Sequence, residues 1–260
     1  MNTGALLDRY FIKQPRLRRF VTALMEPNRT LQVDLAGAPL QVNSRREHGY
    51  LRASRLLRRN GTLRDEIPVL MNLFALLRDG DTFVDVGANV GLFTHAVSRL
   101  TRLHPHLELV AIEAHPDTFA RLAARPLERV RYLNLAMGTA AGSLTFVDGA
   151  VSHVFTTVEQ QNAYSIPGET VQVPSQRLDA LAFRPGSDLV LKVDVEGQER
   201  QVLEGASDLF DAGRIRVVYL DGYDDKQLAG WLKDRGFSLR DGRTLEPTDQ
   251  PPFSLLAIRD

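Results

Sequence analysis

Cysteine is absent from all 260 residues. Disulfides, thiolate metal ligands and cysteine nucleophiles are excluded with it. There is no run of about 18 apolar residues, so no membrane-spanning helix is expected. The opening stretch MNTGALLDRYFIKQPRLRRF has neither an apolar signal core nor a small-residue cleavage site, which makes the cytoplasm the expected location. Gly-Lys-Ser/Thr occurs nowhere, which removes the phosphate-binding loop. Internal repeats and low-complexity tracts are missing too. Tryptophan occurs once, as Trp231, on a helical stretch where it reads as core.

What is present is ordinary in amount and uneven in distribution. Apolar residues make up 43% of the chain, enough for one full core plus an appendage. Net charge is zero, yet residues 1–64 hold 13 Lys+Arg against 4 Asp+Glu, and the remainder is acidic by the same margin. A boundary near Asn60-Gly61 is expected, separating a basic piece (1–61) from a main domain (62–260). The front piece reads as helices at Ala5–Phe11, Arg16–Met25 and Tyr50–Arg59, with a hairpin from Thr30–Leu35 and Pro39–Val42 between them. Its charge either packs on the acidic domain, in the same chain or in a homodimer, or docks an anionic substrate or acidic carrier. Packing is the preferred reading. Nucleic acid is not expected as a partner, because the arginines are not interleaved with aromatics in a binding motif.

The most informative stretch is Asp81 to Thr94, DTFVDVGANVGLFT. Thr82-Phe83-Val84 is short, apolar and β-prone, and it ends on Asp85. Asp85-x-Gly87-x-Asn89-x-Gly91 follows, then a helical run from Phe93. Gly87 and Gly91 permit a sharp turn and close approach to a ligand, and Asn89 tolerates a left-handed conformation. The helix offers free N–H groups at its start. The dinucleotide fingerprint fails, since Asn89 and Leu92 occupy its second and third glycine positions counted from Gly87. On the loop alone, a nucleotide-like cofactor site and a βα turn with glycines for packing stand level. The pattern resembles the first motif of S-adenosylmethionine-dependent methyltransferases, with Asn89 in place of the middle glycine. That resemblance implies that Asp85 serves the methionine ammonium, directly or through water.

Later signals break the tie. Leu109-Val110-Ala111-Ile112 is a second buried-strand run ending on Glu113, an acid placed to accept both ribose hydroxyls of an adenosine cofactor. Val130-Arg131-Tyr132-Leu133 leads into Asn134-Leu135-Ala136, and Leu189–Val193 leads into Asp194-Val195-Glu196-Gly197. With Ile112-Glu113-Ala114-His115-Pro116, Asn134-Leu135-Ala136-Met137-Gly138, Arg177-Leu178-Asp179, Lys192-x-Asp194-x-Glu196-Gly197-x-Glu199 and Val202-Leu203-Glu204-Gly205-Ala206, the chain resembles the FkbM family of methyltransferases over roughly residues 62 to 240.

The resemblance implies methylation of a hydroxyl on a carbohydrate or polyketide-type acceptor, a small molecule. It implies cofactor contacts from Asp85, Gly87, Asn89, Gly91, Glu113, Ala114, His115, Asn134, Ala136 and Asp194. An N- or carboxyl-directed methyltransferase, and a non-catalytic protein that kept the cofactor fold, are the alternatives; intact Asp85, Glu113 and Asp194 speak against the latter. Two departures stand out. The fifth strand ends on Asp221 where the family often carries an acid, one carbon shorter here, and Val147 to Gln172 matches no fixed pattern. That region is expected to shape the acceptor pocket.

Strands alternating with helices predict an α/β fold: a doubly wound, Rossmann-like, seven-stranded methyltransferase sheet with the N-terminal appendage and a β-rich insertion at about 142–174. Ligands then sit beyond the carboxyl ends of the strands, where Asp85, Glu113, Asn134 and Asp194 fall. Asp194, Lys192 and His153 are the catalytic candidates, and Glu196 and Asp221 the acceptor contacts. Asp194 and Glu196 compete with a helix-capping role. Lys192 lies inside a strand and needs a partner, either Asp85 or Asp194. His115 reads as lining the adenine pocket. No metal-ligand spacing occurs on a helix, although Asp194 and Glu196 with a distant residue could hold a divalent ion.

Overall fold

Short β-branched and apolar runs alternate with helical segments from Thr82 onward, and they assemble into one seven-stranded sheet. The structure is a computed structural model and describes residues 27–35, 38–56, 66–148, 155–157, 169–222, 225, 227–249 and 254–259. The two helices expected before residue 26, and His153, lie outside these residues. In chain order the elements are β1 (Thr30–Leu35), β2 (Ala38–Asn43), α1 (His48–Leu56), α2 (Ile67–Leu76), β3 (Thr82–Val86), α3 (Leu92–Ser98), β4 (Glu108–Ile112), α4 (Pro116–Leu122), β5 (Val130–Leu133), β6 (Ala136–Met137), β7 (Gly142–Asp148), β8 (Phe155–Thr157), β9 (Glu169–Gln176), β10 (Leu189–Val193), α5 (Glu199–Glu204), α6 (Ser207–Asp211), β11 (Ile215–Asp221), α7 (Leu228–Lys233), β12 (Ser238–Asp241) and β13 (Ser254–Ile258).

The central sheet runs β12-β13-β11-β10-β3-β4-β5. Its pairs are parallel except those of β13, which lies antiparallel to both β11 and β12. One rung crosses five strands: Leu133, Ile112, Val86, Val193 and Leu220 are consecutive partners. The next residue on each strand is therefore Asn134, Glu113, Gly87, Asp194 and Asp221, in a row along the carboxyl edge. This register gathers the sequence candidates.

Alternation of side chains across the sheet splits the core in two. Val84, Val86, Leu191, Val193, Val218 and Leu220 pack under α5, α6 and α7. Phe83, Leu109, Val190, Val217 and Tyr219 pack against α2 and α3 and against the β1–β2 hairpin, whose Val33, Leu35, Leu40 and Val42 join the same cluster with Leu51 of α1. Asp85 and Lys192 share the parity of this second face.

Three details differ from the expected path. The insertion sheet, ordered β6-β9-β7-β8, begins at Ala136 and not near 142, because Ala136 pairs in parallel with Ser175 of β9. A two-residue strand leaves no periodic signal. The helical run expected from Phe93 ends at Ser98 and gives way to a 3₁₀ turn at Arg99–Arg102. A further helix, α6, follows α5 after a break at Gly205, where any Cβ would overlap the Gly138 carbonyl.

Candidate active site

The turn after β3 is shaped by its neighbours. Gly87 has φ 74° and Asn89 φ 51°, so the chain is left-handed at both positions. A Cβ at Gly87 would overlap the backbone oxygen of Asp194. The glycine is thus required by close packing of two strand ends, with Asp194 N–H donating to Val86 O at 3.1 Å. Gly91, at φ 90°, is required by Leu122, whose Cδ1 would lie 2.6 Å from an added Cβ.

Asp85 lies beneath this turn with 1% exposure. Its Oδ2 accepts from Thr94 N–H at 3.1 Å and from Thr94 Oγ1 at 2.7 Å. One of the free N–H groups that α3 was expected to offer, that of Thr94, is thus taken by the strand's own acid. Lys192 Nζ lies 3.0 Å from Asp85 Oδ1 and 3.5 Å from Asp194 Oδ2, donates to Gly87 O at 2.6 Å, and sits 5.5 Å from the centre of the Phe93 ring. Both partners foreseen for Lys192 are therefore present. Burial opposes its charge, but Asp85 and then Asp194 outweigh that and raise its pKa. Lys192 is buried, while the Asp194 side chain is 36% exposed. Burial pushes the Asp194 carboxyl up; Lys192 opposes this and Asp85 adds to it.

Glu113 is the most constrained acid of the row. Its Oε2 accepts from Asn89 N–H at 2.8 Å and its Oε1 from His115 N–H at 2.9 Å. Each oxygen accepts one main-chain amide and keeps acceptor capacity for a ligand. Burial raises its pKa to about 7, against the two amides and Lys192. Asn134 holds this segment from outside, its Nδ2 donating to the carbonyls of Glu113 (2.8 Å) and Ala114 (3.0 Å). His115 caps α4: Nδ1 accepts from Asp117 N–H at 3.1 Å and Thr118 N–H at 3.4 Å.

A cavity of about 750 Å³, counted with its open mouth, lies over the row. Gly87, Asn89, Glu113, Ala114, Ala136, Asp194 and Glu196 line it. Asp85, Gly91, His115, Asn134, Lys192 and Asp221 are not among its lining residues and stand behind or beside it. In this arrangement the His115 ring caps α4, and the Asp85 carboxylate is engaged by Lys192 and Thr94. Sequence reasoning missed Thr118, Leu135, Met137, Leu144, Phe146, Val195 and Gln198. Met137, Leu144 and Phe146 come from the insertion sheet, whose approach to the edge no local pattern encodes. Asn89 Oδ1 is buried and has no hydrogen-bond partner among the described residues.

Glu196 follows β10 with φ 53°, before Gly197 at φ 94°. The strand has ended, so Glu196 does not continue the parity of Asp194. Crowding at the mouth, first by burial and then by Asp194, Glu199 and Asp221, raises its pKa toward about 8; the residue is exposed, so solvent screens part of this. Asp221 accepts from Tyr219 OH at 3.0 Å, and that hydroxyl also meets Ser254 Oγ at 3.0 Å. Among the described residues no group of three His, Asp or Glu side chains is placed to hold a metal ion, and no helix is long and apolar enough to cross a membrane.

Residues 85–239 match the family described as Methyltransferase FkbM domain. The chain belongs to this family. It is 28% identical over 188 residues to the hexuronic acid methyltransferase AglP of Haloferax volcanii, covering 68% of this chain and 71% of the relative. It is 30% identical over 198 residues to the 31-O-demethyl-FK506 methyltransferase FkbM of Streptomyces tacrolimicus, covering 63% and 75%. Among solved structures, a TehB-like methyltransferase from Corynebacterium glutamicum aligns with TM-score 0.41 and 11% identity, over 82% of this chain and 99% of that one.

As an FkbM methyltransferase the protein is S-adenosylmethionine-dependent, and its cavity suits that cofactor. Glu113 has acceptor capacity for two hydroxyls, Asn89 Oδ1 awaits a donor, and Ala114, Leu135, Ala136, Met137 and Phe146 offer an apolar slot for a flat base.

Proposed function

We propose that this FkbM methyltransferase is O-directed, acting on a hydroxyl of a carbohydrate or polyketide-like small molecule. The observation that carries the reading is the placement of Glu113 and Asp194 on either side of Gly87: two carboxylates at the ends of β4 and β10, the strands that flank β3, lining one cavity. Glu113 would hold the ribose hydroxyls, Asn89 and the apolar slot the rest of the nucleoside. When bound, S-adenosylmethionine supplies an electrophilic methyl carbon.

The chain's own residues do the rest. A neutral alcohol is a weak nucleophile, so removal of its proton assists. Asp194 is exposed enough to reach that proton, and its raised pKa makes it a better base than an ordinary carboxylate. Lys192 fixes Asp194 from below and ties it to the Gly87 carbonyl, so its role is positioning. Asp85 in turn holds Lys192 and α3. Glu196, on the cavity wall, orients another hydroxyl of the acceptor, with Asp221 beside it. Positioning of this kind lowers barriers by up to roughly 7–11 kcal/mol in model systems. One homologue's name, 31-O-demethyl-FK506 methyltransferase, denotes an oxygen acceptor, and the other names a hexuronic acid, which carries hydroxyls as well as a carboxyl.

The test compares two substitutions in a mass-shift methylation assay against glycosides and natural-product alcohols. Glu113→Ala should weaken cofactor binding by about 1–3 kcal/mol, the loss of hydrogen bonds to a charged acceptor. Asp194→Ala should lower single-turnover methylation far more than cofactor affinity. Methylation at nitrogen or carboxyl, or an unchanged rate in Asp194→Ala, would replace this reading.

A further inference from the structure

The turn between β2 and α1 reaches two segments distant in sequence. Asn43 Oδ1 accepts the N–H groups of Arg45 and Arg46, each at 3.0 Å, and Glu47 Oε2 accepts Asn43 N–H at 2.6 Å. The turn is tied down from within before it touches anything else. From it, Arg46 sends both terminal nitrogens onto the two oxygens of Asp148 at the end of β7, Nη1 at 3.1 Å. Asp148 Oδ2 also lies 3.2 Å from His115 Nε2. Next to Arg46, the buried Glu47 carboxylate pairs with Arg121 of α4 at 2.5 Å, and Arg121 reaches Thr118 Oγ1 at 3.1 Å.

These contacts end on the walls of the cofactor cavity. Thr118 of α4 lines it, and so do Leu144 and Phe146 of β7. His115 caps α4 and gives its main-chain N–H to Glu113 Oε1. While His115 Nδ1 accepts main-chain amides, its Nε2 lies 3.2 Å from Asp148 Oδ2 and 2.5 Å from Arg46 Nη2, so the ring sits against both members of the ion pair. One guanidinium thus fastens the end of β7 to the start of α4. A bidentate fork holds a carboxylate in a defined orientation, which an ammonium does not.

We infer that Arg46 is a positioning residue for the cofactor: it sets the gap between the α4 and β7 walls and, through Asp148 and His115, steadies Glu113. The inference rests on the S-adenosylmethionine reading above and extends it to a residue of the basic front piece, outside the family match at 85–239. Part of that piece's charge thereby gains a task distinct from acceptor recruitment.

Calorimetry of the full-length protein with S-adenosylhomocysteine tests it. Arg46→Ala and Asp148→Asn should each weaken binding about tenfold or more, and the double variant should be no weaker than the worse single one, since both break one linkage. Arg46→Lys should recover part of the loss. The cofactor KM should rise while kcat at saturating cofactor stays within about threefold. Asp148→Asn preserves shape and decides the matter if Arg46→Ala does not fold. Wild-type binding with an unchanged Kd in the variants, even with a lowered melting temperature, overturns the inference and leaves Arg46 a docking contact. A wild-type protein that binds no S-adenosylhomocysteine overturns the cofactor reading, and this inference with it.

Discussion

Lys192 and Asp85 form an ion pair 3.0 Å long with both side chains buried beneath the cofactor loop. Removing one member of such a pair strands the other charge, at a typical cost of about 3–5 kcal/mol. Asp194, 3.5 Å from the same ammonium, softens that loss. Asp85→Asn is therefore expected to destabilise the protein by about 2–4 kcal/mol in urea unfolding, and to weaken cofactor binding because Lys192 also holds the Gly87 carbonyl. An unchanged midpoint would count against the pair as a structural element.

Glu113 carries a linkage with a definite sign. Its pKa rises from 4.5 to about 7 on folding, chiefly through burial. The folded state binds the proton more tightly, so stability is greatest below about pH 4.5, falls as pH rises toward about 7, and is level above that. The melting temperature of the ligand-free parent should therefore fall from pH 4.5 to pH 8 by more than that of Glu113→Gln, which has no charge to gain but turns an NH2 toward one of the two main-chain donors at every pH. Cofactor affinity of the parent protein should increase through pH 7, because ligand hydroxyls donate best to the ionised carboxylate. Differential scanning calorimetry at the two pH values checks the first outcome; an equal pH dependence in parent and variant would contradict it.

Gly87→Ala combines a left-handed backbone with overlap of the Asp194 carbonyl. The left-handed conformation alone costs roughly 1–2 kcal/mol for an L-residue. The overlap must also push the ends of β3 and β10 apart, so melting temperature and cofactor affinity should fall together. Loss of stability without loss of affinity would show that the two strand ends tolerate separation.

A truncation beginning near Thr62 removes Val33, Leu35, Leu40, Val42 and Leu51 from the cluster they share with Phe83, Val90 and Phe93. Each such side chain contributes roughly 1.5–3 kcal/mol when fully buried. The truncated protein should lose most of its stability or associate through the uncovered face, as sedimentation would show. In the intact enzyme, the acceptor KM should be nearly flat with ionic strength, since Arg46 is spent on Asp148. A stable, monomeric, active truncation would refute this.

Much of this was legible in the chain. Glu113, Asn134, Asp194 and Asp221 could be placed at strand ends, and Asp85 one residue short of one, because a strand's length and period are local properties of a few consecutive residues. Parallel pairing then had to gather those ends along one edge, and the FkbM blocks named the chemistry. What each acid does with its carboxylate was decided only by tertiary structure. Asp85 and Glu113 look alike in sequence, yet one is consumed by Lys192 and Thr94 while the other keeps acceptor capacity toward the cavity. His115 reads as a pocket residue, and only the structure shows its Nδ1 capping α4 and its Nε2 against Asp148 of another sheet. Phe146 and Arg46 carry no local signal at all. Their roles arise from contacts that span the chain, and such contacts depend on how whole sheets and hairpins dock, which no spacing of neighbouring residues encodes.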